Sequence, residues 1–314
     1  MRGVRRRDGL VTEAIVEQAA GRRGRLRSNM RRIRILAASV CVIASITAPA
    51  LAQTSAAPSA SVSPAVAAAA PAEAAAPAKI YTVTTGLDFT SAYLFRGILQ
   101  ESGGAIGQPY ADIAFSLKHG ITADVGTWNS IHSTADIGNW YESDYFGSVT
   151  FTAGKLKPGL LYTSYTSPAD RFSTVQELAG TLVIDDSKSA FPLAPKVVLA
   201  FEVGDGQADG GDNKGTYLEL GVKPGIKLAP KATLYVPVKT GLSVNHYYEG
   251  PAGDNTFGYF DLGAQLSVPV VSGKGGALEL HGGIDFMWFG ENMKLLNSGD
   301  NFKPVSLLGL TFTY

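Results

Sequence analysis

The sequence predicts an all-β fold, a transmembrane antiparallel up-and-down β-barrel of about twelve strands. Three observations carry that reading. Apolar and polar residues alternate over most of residues 80–314; long polar connections alternate with shorter, lysine-bearing ones; and the last strand ends on an aromatic residue.

The barrel needs an export signal, and residues 1–52 are expected to supply one. Residues 1–52 hold eleven of the 27 basic residues, all arginine, against three of the 27 acidic ones. They therefore carry a net +8, and residues 53–314 carry −8. Within the leader, Met30-Arg31-Arg32-Ile33-Arg34 is a cationic start, Ile35 to Ile46 an apolar run and Ala50-Leu51-Ala52 a small-residue cleavage site. That is the pattern of a secretory signal peptide, and the run is short of the roughly 20 apolar residues of a membrane-spanning helix. Since the cationic start falls at Met30, the first 29 residues read as an over-extended start or a long n-region. The single cysteine, Cys41, lies inside the signal, so the exported part has no thiol chemistry.

Residues 53–78 are almost wholly Ala, Pro, Ser and Val, with Glu73 the only charge. Such a segment buries too little varied surface to offset ordering entropy, which predicts a disordered or polyproline-like tether. The barrel is expected over residues 79–314.

There the period is two. Ala111, Ile113, Phe115 and Leu117 oppose Asp112, Ser116 and Lys118; Val197, Leu199 and Phe201 oppose Glu202; Leu278, Leu280, Ile284, Phe286 and Trp288 oppose Glu279, His281 and Asp285. Twelve such strands are expected near residues 80–95, 108–118, 121–129, 143–153, 159–166, 175–184, 196–204, 216–223, 232–244, 258–268, 277–289 and 304–314. The first places Tyr93 and Phe95 on its apolar face, as girdle aromatics with Tyr145, Trp288 and Tyr314. The fifth is apolar on both faces. Pro237 predicts a bulge or broken ladder in the ninth. Polar connections rich in Gly, Asp and Asn follow every odd-numbered strand, and shorter turns such as Lys118-His119-Gly120 mostly follow the others. That is the topology of bacterial barrels with both termini in the periplasm.

A period-two pattern fits an inside-out membrane barrel and a soluble barrel with an apolar core. The absence of charge from the apolar parity suits both. Export and the C-terminal strand favour the membrane, since Leu308, Leu310, Phe312 and Tyr314 alternate with Gly309, Thr311 and Thr313, as in the strand that outer-membrane assembly machinery reads. The expected surroundings are thus outer-membrane lipids and the barrel-assembly machinery of a Gram-negative cell.

The segment Gly86-Leu-Asp-Phe-Thr-Ser91-Ala-Tyr93-Leu-Phe-Arg96-Gly97-Ile-Leu-Gln100 resembles the opening signature of the TorF-type putative porins, with Ala92 where that family has aspartate. Gly126-Thr-Trp128-Asn-Ser130, Tyr141-Glu142-Ser-Asp144-Tyr145-Phe-Gly147 and Leu161-Tyr162-Thr-Ser-Tyr165 resemble its further elements. The likeness is clearest over residues 80–185, and implies a porin without a defined substrate.

On the inward parity stand Asp88, Asp112, Asp124, Asp144, Glu177, Glu202, Glu219, Asp261, Glu279 and Asp285, against Lys118, Lys223, Lys239 and Arg96. Acidic groups predominate, which predicts a lumen that favours cations among small solutes or ions; internal ion pairs in a closed barrel would use the same residues. Arg96 suits bidentate pairing with a carboxylate or the grip of an anion. A different class, an outer-membrane lipid-modifying hydrolase, would need a nucleophile and a base. Only four histidines are available, His119, His132, His246 and His281, and no motif fixes a triad around them, so no catalytic residue is assigned. A structural or adhesive barrel without an open pore is the other alternative. Asp205, Asp209 and Asp212 lack the spacing of a complete calcium loop, and no metal or cofactor is expected. The acidic exported part would repel nucleic acid. Oligomeric state is not readable from the pattern.

Overall fold

The computed structural model describes residues 80–134 and 139–314; the signal peptide and the tether lie outside them. Twelve antiparallel strands form the barrel: β1 (Tyr81–Thr90), β2 (Ile106–Ser116), β3 (Ile121–His132), β4 (Trp140–Phe151), β5 (Leu156–Thr166), β6 (Val175–Ile184), β7 (Lys196–Glu202), β8 (Thr216–Val222, resumed at Gly225–Ala229), β9 (Ala232–Tyr235, resumed at Val238–Asn245), β10 (Phe257–Gly273), β11 (Gly276–Phe289) and β12 (Phe302–Thr313). Each pairs with the next, and β12 pairs with β1, so Leu87 faces Leu310 and Phe89 faces Leu308 across the seam. Closure gives the strand groups partners without an open edge, as a bilayer demands.

The two interrupted strands have a common cause. Proline has no N–H to give a ladder, and Pro224 and Pro237 sit in the gaps of β8 and β9. The breaks are bridged from neighbouring residues: Val236 N–H donates to the Pro224 carbonyl at 2.9 Å and Gly263 N–H to that of Pro237 at 2.8 Å.

The sense of the barrel is inside out. Leu87, Phe89, Val125, Val149, Leu160, Leu262, Leu280, Leu308 and Leu310 are exposed on the outer face, while Asp124, Asp144, Glu177, Glu219, Asp261 and Asp285 on the opposite parity are buried. A soluble barrel would show the reverse. The aromatics Tyr145, Trp288 and Tyr314 are also exposed, as an interfacial girdle requires.

The first strand departs from expectation. Alternation predicts it through residue 95, but it ends at Thr90, whose hydroxyl accepts the Ala92 N–H and donates to the Ala92 carbonyl as the chain turns away from the wall. Residues Tyr93–Phe95 and Ile98–Glu101 then pair as a small hairpin. Tyr93, Leu94, Phe95, Arg96 and Ile98 are all buried, so Tyr93 and Phe95 are interior side chains and not girdle residues. The hairpin's seat explains why the fifth strand looks apolar on both faces: Leu161, Ala179, Val198 and Ala200 point inward and pack in one cluster with Leu94 and Ile98.

Candidate functional site: the charged interior under the first-loop hairpin

The hairpin turns on two residues of positive φ, Arg96 (46°) and Gly97 (87°), the pattern of a type I′ turn. Glycine suits the second position, where a Cβ would come within 2.8 Å of Tyr259. Arginine does not suit the first: an L-residue there costs about 1–2 kcal/mol, and Asn or Gly relieves it. Its side chain gives the compensation. The Arg96 guanidinium donates two 2.6 Å hydrogen bonds to the two oxygens of Glu177 on β6 and one of 2.7 Å to the Tyr247 hydroxyl. Side-chain exposures of 3% and 2% make this a buried, bidentate pair. Removing one partner of such a pair costs about 3–5 kcal/mol, because the other charge is left in low dielectric.

Aromatic rings enclose the guanidinium. Its central carbon lies 4.1 Å from the Tyr217 ring centre and 5.2 Å from that of Tyr247. These rings are themselves tied down: Tyr165 and Tyr247 donate to Glu177 at 3.1 and 2.9 Å, Tyr217 donates to Glu219 at 2.9 Å, and the Tyr217 and Tyr259 hydroxyls lie 2.9 Å apart. From the next long loops, the Tyr248 hydroxyl donates to the Arg96 carbonyl, and the Asn297 side chain, just past α1 (Glu291–Leu296), accepts from Leu99 N–H and donates to the Gly97 carbonyl, each at 2.8 Å.

Beside this knot lies a second acidic group. Glu142 and Asp144, two apart on β4, share the inner face, and Tyr93 of the hairpin donates to Glu142 at 2.7 Å while its ring rests on Trp128 at 5.3 Å. Tyr141 donates to Gln100. The structure thus draws the quoted motifs, Arg96-Gly97, Trp128, Ser130, Glu142, Asp144 and Tyr165, into one chamber around the hairpin.

The other sequence-selected residues spread along the interior. Lys239 lies 3.4 Å from Asp261 on the adjoining strand, and Asp88 lies 2.9 Å from the His281 imidazole across the seam. Asp112, half-buried, and Asp124, buried, sit near each other on β2 and β3. Glu279 and Asp285 on β11 face Lys223, whose ammonium is 5.0 Å from the centre of the Tyr235 ring. Glu202 turns to the loop above it, accepting N–H bonds of 2.6 Å from Ala208 and from Gly215. Lys118 is in an exposed turn. The inward parity includes neither Glu142 nor Lys196, Glu142 and Tyr165 enter only as parts of quoted motifs, and the tyrosines at 217, 247 and 259 are missed. Parity carried two residues back from Asp144 finds Glu142; Tyr247 lies in a loop, where alternation gives no face.

Two further arrangements have a chemical look. The Ser130 hydroxyl is 2.7 Å from His132 Nε2, a nucleophile-and-base contact, but both residues are fully buried and His132 Nδ1 meets no orienting carboxylate among the described residues. In the loops, Glu249 accepts from the side chain of Asn213 at 2.6 Å and from the backbone of Asp212 and Asn213, and these bonds, led by the first, hold its carboxyl below the usual range. Asp209 accepts from Gly211 and Glu249 N–H groups. Carboxylates used this way shape loops and leave few lone pairs for a cation.

The class of protein these features define is a transmembrane antiparallel β-barrel with a charged interior, partly filled by its own first loop. Among solved structures, the chain is similar to the NanC porin (10% identity, 73% of this chain and 98% of that one, TM-score 0.44), to OmpF of Salmonella typhi (8%, 74% and 97%, 0.36) and to an anion-selective porin from Comamonas acidovorans (8%, 74% and 98%, 0.32). No protein-family model and no curated protein matches the sequence. The TorF-type resemblance therefore rests on the quoted motifs.

Proposed function

We propose that the chain is an outer-membrane channel of the porin type, which passes small hydrophilic solutes or ions and prefers cations. The excess of inward carboxylates carries this reading. Lys239 is 3.4 Å from Asp261, Arg96 is committed to Glu177, and Lys196 and Lys223 face the same lumen, yet Asp88, Asp112, Asp124, Glu142, Asp144 and Glu279 are carboxyl groups in excess of those partners. Rings of carboxylates lower the entry barrier for cations and raise it for anions. The exposed apolar belt supports a bilayer setting, and the Leu308-to-Tyr314 strand supports insertion by the barrel-assembly machinery.

Planar-bilayer recording of the refolded protein under a potassium chloride gradient tests the reading. A reversal potential of the sign for potassium permeation is expected. Chloride selectivity, or silence from protein with intact barrel circular dichroism, refutes it. Repeating the measurement without residues 53–78 reports whether the tether obstructs the lumen.

A further inference from the structure

We propose that the aromatic and acidic cage around Arg96 is a recognition site for guanidinium-bearing solutes, held at rest by the protein's own arginine. The proposal rests on the channel reading and deepens it by naming a solute class.

Four observations lead there. The cage belongs to the wall and its loops: Tyr165 and Glu177 come from β5 and β6, Tyr217 and Glu219 from β8, Tyr247 from the loop between β9 and β10, and Tyr259 from β10, and they hydrogen-bond in two groups, Tyr165 and Tyr247 to Glu177 and Tyr217 to Glu219 and Tyr259, so the host is organised by contacts that do not involve the guest. The hairpin contributes a charged guest. That guest stands at φ 46° in a turn that Gly or Asn would make without strain, so the turn does not explain the residue, whereas its head group does. Finally, the fit is to a flat fork and not to a point charge: both Glu177 oxygens receive separate 2.6 Å bonds, and the Tyr217 face lies 4.1 Å from the guanidinium carbon. A cavity of about 10 Å³, room for one water, adjoins it between Arg96, Thr163, Tyr165 and Glu177.

A solute carrying the same group, an arginine side chain or an alkylguanidine, would make the same bonds once the hairpin tip withdraws. Arg96 then acts as an internal competitor: it occupies the fork of Glu177 and the Tyr217 face, and it yields to a guest of its own kind.

The test uses the full exported chain with argininamide as the probe, which has the guanidinium and no carboxylate. Arg96→Gly vacates the cage and keeps a turn that Gly-Gly favours. Argininamide is expected to raise the thermal midpoint of R96G at concentrations about tenfold lower than any effect on the parent protein, and lysinamide to be about tenfold weaker, because an ammonium cannot form the fork. R96G/E177Q is expected to lose the response. If R96G refolds poorly, refolding yield with and without argininamide is the readout, and rescue that requires Glu177 supports the site. Equal response of R96G and the parent, equal action of lysinamide, or a response that survives Glu177→Gln overturns it. Conductance is scored separately: binding by R96G without current in any variant sinks the channel reading and leaves the cage, whereas current without binding does the opposite.

Discussion

The hydroxyls of Tyr110 on β2 and Thr311 on β12 share a 2.6 Å hydrogen bond although a whole strand separates them. That strand is β1, crossed at Gly86, the register partner of both residues. A Cβ at position 86 would overlap the Tyr110 phenol and stand 2.7 Å from the Leu310 carbonyl. Gly86→Ala should therefore destabilise the barrel by about 1–3 kcal/mol, the cost of overpacking, and Tyr110→Phe by about 1 kcal/mol for the lost bond. Urea unfolding in detergent measures both. The double variant G86A/Y110A should recover part of the G86A loss, since the clash partner is gone; strict additivity would show that the ring does not bear on the glycine.

Neighbouring residues on β11 should respond oppositely to the same change. Leu280 is exposed on the outer face and Glu279 is turned inward. Leu280→Arg is expected to cost about 2–4 kcal/mol in a lipid bilayer and to lower the folded, heat-modifiable fraction on gels. Glu279→Arg should fold normally and weaken potassium preference in bilayer recordings. Equal folding of the two would contradict the assigned faces.

The alternation made those faces legible before any coordinates, because lipid and lumen impose opposite demands every second residue, and eleven of the strands lie close to their expected positions. The hairpin was not legible. Tyr93 and Phe95 continue the parity of Leu87 and Phe89, so a turn inward and a strand running on outward look alike in sequence; only the Thr90 hydroxyl and the paired positive φ values at Arg96 and Gly97 distinguish them. The inward apolar residues Leu161, Ala179, Val198 and Ala200 were the overlooked trace, since a purely wet lumen has no use for them. Within the chamber, Asp144, Glu177 and Glu219 followed from parity, whereas the tyrosines converge from separate strands and a loop through long-range pairing that sequence spacing does not encode.

Asn297 holds the hairpin by two bonds, to Leu99 N–H and to the Gly97 carbonyl. Asn297→Ala should weaken the hairpin's docking by about 2 kcal/mol, roughly 1 kcal/mol per bond. More frequent or larger current steps than in the parent protein are expected, with the barrel's β-sheet signal unchanged. Identical current traces would place the hairpin outside the conduction path.

A turn on the short-connection side should carry an acid sensitivity. Hydrogen bonds from Ser187, then the Lys157 ammonium at 3.1 Å, hold the Asp185 carboxyl at about 2, below its ordinary 3.8. A depressed value means that the stabilisation is complete above the ordinary value and disappears as pH falls through the depressed one. The side chain is 33% accessible at the barrel's edge, so the effect is local and small. Pepsin cleavage within residues 185–195 should accelerate between pH 4 and pH 2, about the interval these values bracket. In Asp185→Asn the turn should be cut readily at both ends of that interval; a steep dependence in this variant would assign the sensitivity to another group.

The seam between β1 and β12 has a consequence for biogenesis. A cylinder whose first and last staves are mutual partners cannot be completed stepwise from one end: every shorter intermediate is a curled ribbon with two raw margins, each offering amides and carbonyls that hydrocarbon cannot satisfy. The final zipper, Leu308 to Thr313 against Thr84 to Phe89, is therefore the pairing that removes both margins at once.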